Sequence, residues 1–212
     1  MELSDAMRST GTCRYFSDEY VSDEVLYQAF DNARFGPQGG NRQPVRWVAV
    51  RDAETKKRLA ELYLPYWEGY YAAVIEGSKA VGAVPATVQS ANNFAHNLAD
   101  VPVMIVVCAE AEGLHPTDHE LGRLSVVGGA SIYPTVQNLT LALREQGVAS
   151  ALTTLLCAEE PAVKELLNIP DGYITAAHIA VGYPRDGFPR KLTRTPVEEI
   201  AFLDRFDTPM FA

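Results

Sequence analysis

The chain predicts an α+β fold in a single domain spanning residues 1–212. Three observations carry this. Helical and strand-like patterns alternate in the order ααβααβαβαβ before an extended tail, so long helices separate few strands. No GxGxxG follows a strand-like run, which disfavours a Rossmann-type dinucleotide fold, and no GxxxxGK[ST] occurs, which excludes a P-loop. Hydrophobic residues make up 47% of the 212, enough to bury a real core.

The elements follow in order. "SDEVLYQAFDNARFG" reads as a helix: Ser22 is the candidate N-cap, Asp23 and Glu24 occupy the first turn, and Val25, Leu26, Ala29, Phe30 and Ala33 form one face. Gly36-Pro37 ends it. "VRWVAVRD", Val45 to Asp52, alternates as a strand does. The stretch from Ala53 to Ala80 is helical on both sides of Pro65, where a kink or break is expected because proline lacks the N–H a helix needs. "PATVQSANNFAHNLAD" is a further helix, leading into the apolar strand Val101 to Ala109. "GLHPTDHELGRLSV" reads as a loop with one turn of helix at most. In "ASIYPTVQNLTLALREQG", Ile132, Val136, Leu139 and Leu143 recur at helical spacing and Gly147 closes the helix. A short strand around Val148 to Thr153, a helix "EEPAVKELLN" and a strand "YITAAHIAVGYP" complete the core. The tail after Pro184 has little core-forming pattern, and such a segment is expected to wrap a partner subunit.

Charge and composition exclude some functions. A net charge of −9 argues against nucleic-acid binding, which needs a basic face. The longest apolar run, Val101 to Ala109, is too short to span a bilayer, and the N-terminus lacks the pattern of a signal peptide, so a cytoplasmic protein is expected. Cys13, Cys108 and Cys157 are widely spaced, with no CxxC to suggest zinc or a disulfide framework.

Phosphate binding needs cations and hydroxyl or N–H donors. Three points offer them: "RSTGTCRYF" with Arg8, Ser9, Thr10, Thr12 and Arg14; the donor-rich "GPQGGNRQPV", Gly36 to Val45, with Arg42; and "RKLTRTPVEE" with Lys191 and Arg194. Each alone reads as solvated surface charge.

Together these segments resemble the FMN-dependent nitroreductase-like flavoproteins, a family that includes the iodotyrosine deiodinase branch. The resemblance covers nearly the whole chain. Thr10 to Phe16 is similar to an early R-x-[ST]-x-R-x-F element, and "GPQGGNRQPV" to an A-P-S-x-x-N-x-Q-P-W loop between helix and strand. "VPVMIVVCAE" is similar to the central strand, "GASIYPTVQNLTLALREQGVASALTTL" to the long helix and the turn after it, and "GYPRDG…LTRTPVEEI" to the closing segment.

The resemblance implies a mixed sheet flanked by long helices in a homodimer, with one FMN per site at the subunit interface. Arg14 and Arg194 would hold the phosphate, with Lys191 nearby and Thr10 and Thr12 adding hydroxyl donors. Pro37, Gln38, Gly39, Asn41 and Gln43 would line the flavin from the neighbouring subunit, and Thr153 and Thr154 would pass near N5. No protein side chain need act as nucleophile, because the cofactor carries the chemistry. The implied reaction is ping-pong hydride transfer from NAD(P)H to an electron-poor acceptor such as a nitroaromatic or quinone. Reductive dehalogenation, dehydrogenation or flavin cleavage on the same fold, or a flavin-binding module without turnover, are the alternatives. The chain departs from the pattern at Gly11, where the family has its first arginine and Arg8 is the candidate replacement, at Gln38 in place of serine, and at Val45 in place of tryptophan.

Other residues have bland readings. His115 and His119 have i, i+4 spacing but a loop-like context, so no metal site is expected. His178 in an apolar strand reads as a satisfied core residue, and His96 equally as a substrate-facing residue or an exposed helix position. Tyr63, Trp67 and Tyr70, with Tyr66 and Tyr71, read as core or dimer packing first and as a pocket wall or lid second.

Overall fold

The computed structural model describes residues 1–78, 84–189 and 192–211. Its elements are α1 (Leu3–Ser9), α2 (Asp23–Ala33), β1 (Val45–Val50), α3 (Ala53–Ser78), α4 (Ala86–His96), β2 (Val103–Glu110), α5 (Tyr133–Glu145), β3 (Ala149–Thr153), α6 (Glu160–Leu167) and β4 (Tyr173–Gly182), joined by short 3-10 turns. The succession is the one the sequence predicts. Ser22 caps α2 by accepting the Val25 N–H at 3.2 Å. Gly147, at φ +76°, follows α5 in the left-handed region that favours glycine, and Asn168 closes α6 in the same region at φ 52°.

Of the kink or break expected at Pro65, the break does not occur: α3 runs from Ala53 to Ser78 with Pro65 inside it. Packing outweighs the missing hydrogen bond: Leu59, Tyr63 and Trp67 lie on the same face of α3, on both sides of the proline, and all three are buried. Fully burying one such side chain contributes about 1.5–3 kcal/mol, comparable to the proline's cost of about 3 kcal/mol.

The four strands form one sheet in the order β1-β2-β4-β3. The resemblance implies a mixed sheet. All three pairings among the described strands are antiparallel, so any parallel pairing has to involve chain outside these four strands. Helices cover both faces, which explains why seven of the eight residues of β2 are buried. Val103, Ile105, Val107 and Ala109 face α2 and α5, while Met104, Val106 and Cys108 face α3 and α4. The register of β2 on β4 slips between Val107 and Cys108, which leaves Ala176 as the extra residue of a bulge.

No described helix is long and apolar enough to cross a membrane. The tail beyond β4 carries a set of exposed apolar side chains, among them Ile200, Leu203 and Phe206.

Candidate functional site

The stretch before α2 is placed by backbone bonds to the far side of the sheet. Cys13 N–H donates to the Ser150 carbonyl at 2.9 Å, Ser17 N–H to Tyr183 at 2.9 Å, and Arg185 N–H donates back to Tyr15 at 3.0 Å. Residues 13–17 thus run beside the start of β3 and the end of β4. This brings Thr12 and Arg14 next to Thr153 and Thr154, about 140 residues later in sequence.

These four residues line one cavity of about 280 Å³. Tyr63, Trp67 and Tyr70 of α3 and Phe94 of α4 form its wall. Among the described residues no carboxylate lines it, and its polar side chains are the Arg14 guanidinium, the threonine and tyrosine hydroxyls and the Trp67 indole. Arg14 has no ion-pair partner among the described residues, and it also lines a second, more polar cavity of about 290 Å³ with Asp18, Asn93, Asn97, Asp100 and Arg185.

The aromatic residues serve two purposes at once. Tyr63 and Trp67 are buried in the core layer between α3 and the sheet, and they also face the cavity. Trp67 donates its indole N–H to Asn92 Oδ1 at 2.8 Å and stacks on Tyr71 at 6.0 Å. Tyr66 instead bonds Glu159 at 2.6 Å, away from the cavity. Tyr63 pairs with Thr153, whose hydroxyl lies 3.4 Å away. Burial raises the Tyr63 phenol above its ordinary value, so its hydroxyl stays protonated at neutral pH.

Not every expected residue meets there. The Thr10 hydroxyl donates to the Ala6 carbonyl at 2.7 Å and does not line the cavity. Arg8 is exposed in the last turn of α1, and it too lies off the cavity. Arg194 is exposed, donating to the Thr193 carbonyl at 2.8 Å. Lys191 lies outside the described residues. The tail nevertheless crosses the early segment: a Cβ on Gly11 would stand 2.7 Å from Leu192 Cδ2 and 3.3 Å from Pro189 Cγ. Tail residues Pro189 and Leu192 thus pack directly against Gly11, the position where the resemblance implies an arginine.

None of residues 37–43 lines this cavity. The loop they form is pinned to the start of α5. A Cβ on Gly36 would fall 2.6 Å from the Thr135 nitrogen, and Gly39 N–H donates to Ser131 Oγ at 3.0 Å. Gly40, Asn41 and Gln43 all adopt left-handed backbone, with φ of 61°, 52° and 52°. Two non-glycine residues held there store strain of the kind that collects at ligand clamps. Gln38 donates through Nε2 to the Arg34 carbonyl at 3.3 Å, while its Oε1 is buried with no partner among the described residues. Val45 leaves no aromatic ring at the loop's end, and the packing comes from Trp47, which stacks on Phe30 at 5.6 Å.

Thr154 also lines a larger, mostly apolar cavity of about 960 Å³ with Tyr133, Cys157, Gly129 and His119. A buried carboxylate shapes its rim. Asp118 accepts from Ser125 Oγ at 2.6 Å, the Val126 N–H at 3.0 Å and Arg123 at 2.8 Å, and these donors, Ser125 first, hold its pKa near 2. His115 and His119 each bond a neighbouring backbone carbonyl, Leu114 and Pro116. Among the described residues there is no group of three or more potential metal ligands.

Sequence reasoning missed Phe94, Asn93, Asn97 and Arg185. Nothing in their local pattern marks them, because only the packing of α4 and the end of β4 against residues 13–17 brings them to Arg14.

Comparison with known proteins gives a consistent picture. A family model described as the Nitroreductase family matches residues 7–183. A protein of Archaeoglobus fulgidus named as a candidate NADH dehydrogenase/NAD(P)H nitroreductase is 26% identical over 176 residues, covering 82% of this chain and 80% of its own. An iodotyrosine deiodinase of Nematostella vectensis is 26% identical over 203 residues, covering 95% of this chain and 75% of its own. Among solved structures, a candidate nitroreductase of Desulfovibrio desulfuricans in complex with FMN superposes with a TM-score of 0.70 at 20% identity, over 97% of this chain and 98% of that one.

Proposed function

The chain belongs to the nitroreductase family, and from that premise we propose that it is an FMN-dependent oxidoreductase passing electrons from NAD(P)H to an electron-poor acceptor such as a nitroaromatic or quinone. One observation carries the reading. The fold gathers Thr12, Arg14, Thr153 and Thr154, far apart in sequence, into one cavity with donors on its floor and aromatic rings on its wall. That lining fits FMN, which presents an anionic phosphate, a string of hydroxyls and a flat ring.

FMN, when bound, supplies the two-electron redox step. The chain's residues do the rest. Arg14 neutralises the phosphate, with Thr12 adding a donor. Thr153 and Thr154 would supply donors to the ring end of the cofactor, and donors there would favour the charge that reduction builds. Trp67 and Phe94 exclude water from one side. NAD(P)H and the acceptor would use the same cavity in turn, as a ping-pong cycle requires.

The protein acts as a homodimer in this proposal. The loop 37–43 lies off the chain's own cavity, so its Gln38, Asn41 and Gln43 reach a flavin only in the partner's half of the assembly. The exposed apolar tail wraps that partner, which brings Arg194 with it. Cytoplasmic location accompanies the reading.

Purification followed by FMN titration tests the binding claim: a yellow protein, or FMN affinity in the micromolar range or better, is expected. Anaerobic NADPH or NADH should then bleach the flavin, and a nitroarene or quinone should restore its colour. No flavin uptake at micromolar concentration defeats the proposal. Bleaching without reoxidation by either acceptor, but with turnover of a halogenated phenol, redirects it to reductive dehalogenation.

A further inference from the structure

We propose that the Tyr63 hydroxyl, paired with Thr153, is the donor that hydrogen-bonds the ring end of the flavin in this cavity. The inference rests on the FMN reading above and goes beyond the residue set that the family resemblance implies.

Tyr63 and Thr153 share one hydrogen bond, at 3.4 Å, with Thr153 as the donor. Two hydroxyls joined by one bond retain one free proton, whichever of them donates. Neither hydroxyl has another acceptor among the described residues; the only other contact is the Leu155 N–H, which donates to Thr153 at 3.5 Å. The spare proton therefore faces the cavity that both residues line. Tyr63 is 2% exposed, so packing leaves its hydroxyl proton little direction other than the cavity. A ligand oxygen or ring nitrogen answers that proton.

The position within the cavity selects the ring. Phosphate goes to the guanidinium of Arg14 and the Thr12 hydroxyl, the strongest anion donors present. Tyr63 instead bonds the last residue of β3, and Trp67, one helical turn further along α3, presents an indole beside it. Thr10 offers no alternative, because its hydroxyl is spent on Ala6. The ligand atoms facing Tyr63 are thus those of a flat heteroaromatic ring with acceptor positions, and donation strengthens as that ring gains electrons.

The test is Tyr63→Phe, which keeps the ring and its packing and removes only the hydroxyl. Binding of FMN and of riboflavin to the apoprotein is measured by flavin fluorescence, and the midpoint potential of bound FMN by dye equilibration. The expected result is a weakening of about 3- to 10-fold that is equal for the two flavins, with a lower potential; a tenfold change in relative affinity for the two redox states corresponds to about 30 mV for a two-electron couple. Weakening of FMN alone places the hydroxyl on the phosphate and overturns the proposal. So does unchanged binding or an unshifted potential. If Tyr63→Phe does not fold, Thr153→Val, which removes the other hydroxyl of the pair, is read against the same criteria. A wild-type protein that takes up no flavin refutes the FMN reading itself, which is a different outcome from a variant that fails to differ.

Discussion

Nδ1 of His178 lies 4.0 Å from the sulfur of Cys157, and this thiol is the imidazole's sole hydrogen-bonding partner among the described residues. His178 is fully buried on β4, directly across from Thr153 of β3, and its Nε2 has no partner. The sequence reading of a satisfied core histidine is thus half right: the residue is core, but one nitrogen is unanswered. Burial keeps the ring neutral, pushing its pKa down to about 4.

Acid stability follows from that shift. An unfolded histidine titrates near 6.5, so between pH 6.5 and 4 the unfolded chain binds more protons than the folded one. The neutral ring's contribution is complete above pH 6.5 and is lost as pH falls toward 4, a change of about 3 kcal/mol. Urea unfolding of wild type across this window should show the loss, and His178→Leu should flatten it. Identical pH slopes for the two proteins contradict the assignment.

Two glycines that both lack room for a Cβ should respond differently to alanine. At Gly36 the Cβ meets backbone, 2.6 Å from the Thr135 nitrogen and 2.7 Å from the Pro134 carbonyl carbon. The loop must then lift off α5, and Gly36→Ala should cost about 3 kcal/mol. At Gly11 the nearest atom is the tip of Leu192, which can rotate away. Gly11→Ala should cost less than about 1 kcal/mol. Thermal melts of the two variants give the comparison, and equal losses would show that the tail is as rigidly seated as α5.

Arg14 should dominate phosphate recognition. Arg14→Ala is expected to weaken FMN binding by about 10- to 100-fold, the range for a hydrogen bond to a charged group, and to leave riboflavin binding nearly unchanged. Arg194→Ala should have the smaller effect, because Arg194 is exposed and already bonded to the Thr193 carbonyl. Titrations with the two flavins decide it, and a larger loss at Arg194 reverses the ranking.

The fold was legible where one residue pattern met one environment. Ile132, Val136, Leu139 and Leu143 repeat at helical spacing and are all buried, and the capping role of Ser22 was readable from a hydroxyl followed by two acids. Pro65 does not end the helix, because local propensity says nothing of the core contacts made by Tyr63 and Trp67 on its two sides. The site was legible only in pieces. Arg14 and Thr153 carry donors that a sequence can flag, but their meeting depends on Cys13 bonding Ser150 across the fold. The aromatic run from Tyr63 to Tyr71 could not be divided between core and cavity, because period alone does not say that one face serves both.

The tail supplies the test of assembly. Phe206 is 86% exposed, stacked on Phe202 at 4.6 Å, and Ile200, Leu203 and Met210 are each about half exposed or more. Hydrophobic side chains clustered on one short segment are costly in water, and each that becomes fully covered contributes about 1.5–3 kcal/mol. A second copy of the chain is the proposed cover. Ile200→Asp with Phe206→Asp removes that contribution and adds two charges that must be desolvated on association. Neither residue belongs to the buried core, so the protomer should keep its fold and its circular dichroism. Sedimentation at micromolar concentration should show a dimer for wild type and a monomer for the variant. FMN affinity should fall with it, since the loop 37–43 then has no partner cavity to reach. A variant that remains dimeric would show that the tail is not the dimer contact, and a monomeric variant that binds FMN as tightly as wild type would place the complete flavin site within one chain.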